Sequence, residues 1–117
     1  MEERRKFMRF STSVDVKYKS PERAIEGSSL SRDFSREGIG FTGNRGIPSG
    51  THLELEINIP GEIAPIFATG EVAWVKESSK GGEFDIGVKL VKMDSFDRSR
   101  LLEYAYNKWL KARSKAV

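Results

Sequence analysis

Period-two alternation of apolar and polar residues, repeated along most of the chain, restricts its fold more than any other feature. Val14, Val16 and Tyr18 alternate with Asp15, Lys17 and Lys19. Leu53, Leu55, Ile57 and Ile59 alternate with Glu54, Glu56 and Asn58, and Phe84, Ile86, Val88 and Leu90 repeat the pattern. Successive side chains of a strand point to opposite faces, so each stretch predicts a strand with one buried and one wet face. Three further stretches are less regular. Ala24 to Ser31 alternates poorly, and Gly38-Ile39-Gly40-Phe41-Thr42 predicts a short strand with Ile39 and Phe41 inward. Ile66 to Val75 predicts a long strand in which Gly70 marks a bulge or bend. Ser20-Pro21-Glu22, the Asn44–Gly50 loop, Pro60-Gly61 and the Gly81-Gly82 hairpin supply the turns between them. Six short strands so spaced imply a mainly β fold, an antiparallel barrel or sandwich.

The period then changes. Leu101, Ala105 and Trp109 recur four apart, flanked by Leu102, Tyr106 and Leu110, which predicts an amphipathic C-terminal α-helix with the aromatics as packing residues. Asp94 or Ser95 is the expected cap. Lys108, Lys111, Arg113 and Lys115 crowd the helix end, where cations complement the dipole. They read as a solvated end, with docking to a partner as the other reading. The expected organisation is one domain: an arm over residues 1–12, a barrel over 13–93 and the helix over 94–117.

At 117 residues the chain has room for a single modest core. No apolar run approaches the roughly 20 residues of a membrane span. The charged start, Met1 to Lys6, has no apolar stretch behind it, so no secretory signal is expected. Cysteine is absent, which removes thiol chemistry and fits a cytoplasmic location. The net charge of +3 is mild for a protein that coats nucleic acid. His52, the only histidine, has no Cys or second His to join it in a metal site. Neither a G-x-S-x-G elbow nor a P-loop is present, so an enzyme is not expected and no cofactor is called for.

Two clusters carry the chemistry. Arg5 and Arg9 form RxxxR, and after 23 intervening residues Asp33, Ser35 and Gly38 form DxSxxG. Guanidinium forks bond phosphates or the O6/N7 edge of guanine, or stack on a purine face. A carboxylate accepts from guanine N1–H and the N2 amine, donors that adenine does not pair in that way. Ser35 can donate to a ligand oxygen or brace the turn. Gly38 allows positive φ or close backbone approach.

In this order, the clusters make the chain resemble a PilZ domain, the bacterial receptor module for cyclic di-GMP. Glu3-Arg4-Arg5-Lys6-Phe7-Met8-Arg9, the DxSxxG turn, Pro48-Ser49-Gly50, Gly70-Glu71-Val72-Ala73-Trp74 and Ile86-Gly87-Val88 all fall as in that family. The resemblance implies a six-stranded antiparallel β-barrel of split-barrel type whose arginine arm closes over cyclic di-GMP. It implies Arg5, Arg9, Asp33, Ser35 and Gly38 as ligand residues, and it sets Trp74 where an aromatic often stands beside the ligand. By its alternation Trp74 is instead in phase with Val72 and reads as core. Arg4, a basic residue just ahead of RxxxR, goes in similar domains with a stacked, intercalated ligand dimer. The implied role is cytoplasmic reception of the second messenger and its transmission to an effector protein, in motility or biofilm regulation. The competing readings are a PilZ-like adaptor with an unused nucleotide site, and a small barrel that binds single-stranded nucleic acid.

Overall fold

A computed structural model describes residues 13–35, 37–79 and 81–115, the last three by backbone alone. The elements are β1 (Asp15–Ser20), β2 (Ile25–Phe34), β3 (Gly38–Gly43), β4 (His52–Asn58), β5 (Ile66–Glu77), β6 (Phe84–Met93) and α1 (Ser95–Lys115). The strands close into a barrel in the order β1-β2-β3-β6-β5-β4, and every neighbouring pair is antiparallel. Closure leaves no open sheet edge.

The alternating residues fill the barrel. Val16, Phe34, Phe41, Ile47, Ile57, Ile66 and Ile86 are fully buried. Tyr18 stacks on Phe41 with ring centroids 4.8 Å apart. The Tyr18 hydroxyl reaches to 2.6 Å from where a Cβ on Gly27 would stand, so the tyrosine fills space that a larger β2 residue would need.

Asp94 caps the helix: its Oδ2 accepts from the backbone N–H groups of Phe96 at 3.0 Å and Asp97 at 3.4 Å. Only the first half of α1 docks, through buried Leu101 and Ala105 and half-buried Leu102 and Tyr104. Arg100 locks that half to the β4–β5 loop, donating to Glu62 at 2.6 Å, to the Ala64 carbonyl at 2.7 Å and to Asp97 at 2.8 Å. The Glu62 and Asp97 carboxylates raise the Arg100 pKa further. Tyr106 and Trp109 do not join the buried core as their spacing predicts; they remain partly exposed and lean on each other at 5.8 Å.

Candidate functional site

The DxSxxG segment begins at the end of β2. Ser31 points inward and is buried, and strict alternation would carry Asp33 inward too. The register slips instead. Ser31 lies opposite Phe41 and Asp33 opposite Gly40, which leaves Arg32 as the extra residue of a bulge. One inserted residue reverses the phase beyond it. Phe34 therefore enters the core, and Asp33 comes to the outer face with its Oδ1 3.1 Å from the Cβ position of Gly40.

Ser35 is buried and braces the turn. Its N–H donates to the Gly38 carbonyl at 2.9 Å, and its Oγ accepts from the Glu37 N–H at 3.4 Å. The Glu37 carbonyl in turn accepts from the Leu90 N–H at 2.8 Å, tying the turn to β6. Gly38 serves close approach: a Cβ there would stand 3.0 Å from the Val88 carbonyl oxygen. The positive-φ glycines among the described residues are Gly50, Gly61 and Gly82.

Trp74 departs from its alternation for the same kind of reason as Asp33. Val72 pairs with Val88 and Trp74 with Gly87, so Ala73 is the extra residue of a bulge in β5. Val72 is buried, whereas Trp74 is 46% exposed on the outer face. The core reading of Trp74 is thereby overturned. A Cβ on Gly87 would overlap the Cε2, Nε1 and Cζ2 atoms of the indole, so the ring sits directly against bare β6 backbone.

These registers assemble a single row across four strands. Asp33 faces Gly40, Gly40 faces Gly87, and Gly87 faces Trp74. The row spans three strand spacings, about 14 Å, with the indole over Gly87 and the Asp33 carboxylate against Gly40. On one side of the row a hollow of about 280 Å³ is lined by Glu37, Gly38, Ile39, Ala73, Trp74, Gly87, Val88 and Lys89. On the other, Arg32 pairs with Asp85 at 3.1 Å, and Asp85 accepts from Thr42 Oγ1 at 3.4 Å. Larger shallow hollows, of about 630 and 550 Å³, lie elsewhere on the wall over β1 and contain none of these residues. Volume alone does not mark the chemistry here.

The structure thus brings Gly38 and Trp74 to one hollow and sets Asp33 at the far end of the row. Arg4, Arg5 and Arg9 lie outside the described residues. Sequence reasoning passed over Gly40, Gly87, Lys89 and Arg32 as site residues. The two glycines carried a signal, since each stands at the outward phase of an alternating strand, where a polar side chain is the norm.

The carboxylate, the two glycines and the indole lie in one row on the wall of a small closed barrel, and comparison places the chain in a family. The chain belongs to the PilZ domain family, whose model matches residues 3–107. Among solved structures it is similar to the Bacillus subtilis inhibitor of motility MotI/DgrA, at 24% identity and a TM-score of 0.80. That match covers 96% of this chain and 54% of MotI, so the chain spans about half the length of that protein. It is also similar to the PilZ domain with c-di-GMP of YcgR from Escherichia coli, at 15% identity, TM-score 0.72, and 97% and 98% of the two chains. The K. pneumonia MrkH–c-di-GMP complex gives 14% identity, TM-score 0.73, and 97% and 56% coverage. At these identities the likeness establishes the fold. No curated protein matches the chain.

Proposed function

We propose that this domain is a cyclic di-GMP receptor whose ligand lies on the outer face of β3, β6 and β5. The observation that carries the reading is the row Asp33–Gly40–Gly87–Trp74. The glycines let the indole and the carboxylate lie close to the barrel wall, where side chains would hold them off. Asp33 at one end accepts from guanine N1–H and N2. Trp74 at the other end offers a stacking face. Lys89 at the rim of the hollow supplies a cation for phosphate. The arm closes over the ligand with Arg5 and Arg9 on phosphate and guanine edges. Arg4 extends the cation set to a second, intercalated ligand. Support comes also from the family and from the YcgR and MrkH complexes, which share this fold and carry c-di-GMP.

The mechanism is binding without catalysis. Ligand engages cations on the arm and carboxylate on the wall together, which fixes the arm against the barrel and changes the surface offered to an effector protein. Calorimetric titration with cyclic di-GMP, with cyclic di-AMP and GTP as controls, tests the reading. The expected result is guanine-selective, saturable binding at two ligands per chain. Arg9→Ala should lose a charge-assisted contact of about 1.5–3 kcal/mol, or about 10–150-fold in affinity. Asp33→Ala should lose a similar amount together with selectivity over cyclic di-AMP. Folded protein that gives no heat and no competition would leave an adaptor barrel in its place. One ligand per chain would remove the role given to Arg4.

A further inference from the structure

The second half of α1 carries an apolar stripe that stays partly exposed. Tyr106 is 47% exposed, Leu110 40% and Trp109 36%. With half-buried Leu102 they stand at i, i+4, i+7 and i+8, the spacing of one helix face made to meet another helix. At 100° per residue, Lys108 and Lys111 fall on the side of the helix away from this stripe, and the structure puts the Lys108 ammonium over the Tyr104 ring instead. Two such helices can therefore meet along their stripes without setting these lysines against each other.

Charge along the helix gives the pairing a direction. In its first half Asp97 and Glu103 are balanced by Arg98 and Arg100, and beyond Glu103 the sequence holds Lys108, Lys111, Arg113 and Lys115 with no acidic residue. A parallel pair would align like ends and like dipoles. An antiparallel pair opposes the dipoles and brings the basic half of each copy to the neutral half of the other. A two-fold axis through position 108 sets Tyr106 across from Leu110 of the second copy and sequence position 103, a glutamate, across from position 113, an arginine.

We infer that this stripe is a homodimer seam: two copies pair antiparallel through the second halves of α1. The seam from Leu102 to Ser114 is about 18 Å long at 1.5 Å per residue. That is short of the roughly 800 Å² per partner of a standard stable interface, so the dimer is weak and concentration-dependent. The inference is independent of the nucleotide reading, because the seam uses none of the row residues.

Sedimentation velocity of the full chain, from about 5 to about 500 µM, tests the seam at concentrations suited to a weak interface. The expected result is a monomer–dimer equilibrium. Tyr106→Glu and Leu110→Glu, at exposed positions, should each weaken dimerisation about tenfold or more while thermal unfolding stays that of wild type. Glu103→Arg should weaken it as well, and Glu103→Arg with Arg113→Glu should restore it. The inference fails if wild type stays monomeric over the range, or if Tyr106→Glu dimerises like wild type. It fails too if the charge swap gives no rescue. Binding of monomeric wild type to phosphatidylglycerol vesicles, lost in Leu110→Glu, would give the stripe to a lipid surface and overturn it.

Discussion

Gly87→Ala isolates the shelf from the rest of the site. A Cβ at residue 87 would occupy the space of the Trp74 indole, and the ring cannot sink because β6 backbone lies beneath it. It can lift, since Trp74 is 46% exposed. A Trp side chain presents up to about 250 Å², so about 130 Å² is covered in place. Raising the ring uncovers about half of that, and at roughly 25 cal/mol per Å² the loss is about 1.6 kcal/mol. Alanine in a strand offsets about 0.5–1 kcal/mol relative to glycine. The net cost to stability is therefore about 1 kcal/mol, and the domain stays folded. Binding should suffer more. A base that loses its aromatic platform loses about 1–3 kcal/mol, which is about 5–150-fold in cyclic di-GMP affinity. Calorimetry on wild type, Gly87→Ala, Trp74→Ala and the double variant reads this as a cycle, with urea unfolding beside it. Because Gly87→Ala acts only through the indole, the double variant should bind no worse than Trp74→Ala alone. Wild-type affinity in Gly87→Ala, or strictly additive losses, would refute the shelf.

Three further predictions concern the frame. Asp94→Ala removes the acceptor for the Phe96 and Asp97 amides and should cost about 1 kcal/mol in urea unfolding. Ala24 ends the β1–β2 turn at φ +54°, where a Cβ is strained, so Ala24→Gly should raise stability by up to about 1 kcal/mol in the same assay. Burial raises the Tyr18 phenol above its ordinary 10.0, with Arg45 opposing. The folded state then holds that proton more tightly than the unfolded chain, so its contribution is fully present below pH 10 and is lost as pH rises beyond it. Alkaline unfolding should therefore steepen above pH 10 in wild type and flatten in Tyr18→Phe.

The strand faces were legible wherever each strand fills its own share of the core, as β1, β4 and β6 do. Alternation fails in β2 because Tyr18 of β1 occupies the inward space there, and Gly27 is bare for that reason. The helix misled in a comparable way. Spacing announces an apolar face but not how much of it the barrel can cover, and this barrel covers Leu101 and Ala105 and stops. At the site the illegible step was register. An inserted residue has no side-chain signature, so Arg32 and Ala73 look like ordinary strand positions. Yet without them Asp33 and Trp74 would both point into the core, a carboxylate and an indole among Val, Ile and Phe. Burying an uncompensated carboxylate costs several kcal/mol, so a sequence with Asp two residues beyond an inward Ser31 and with apolar Phe34 next to it already required a phase reversal between them. The same test applies to Gly40 and Gly87. Each stands at an outward phase without a side chain, which weakens a strand unless something must approach its backbone. Trp74 does so at Gly87, and the Asp33 carboxylate does so at Gly40.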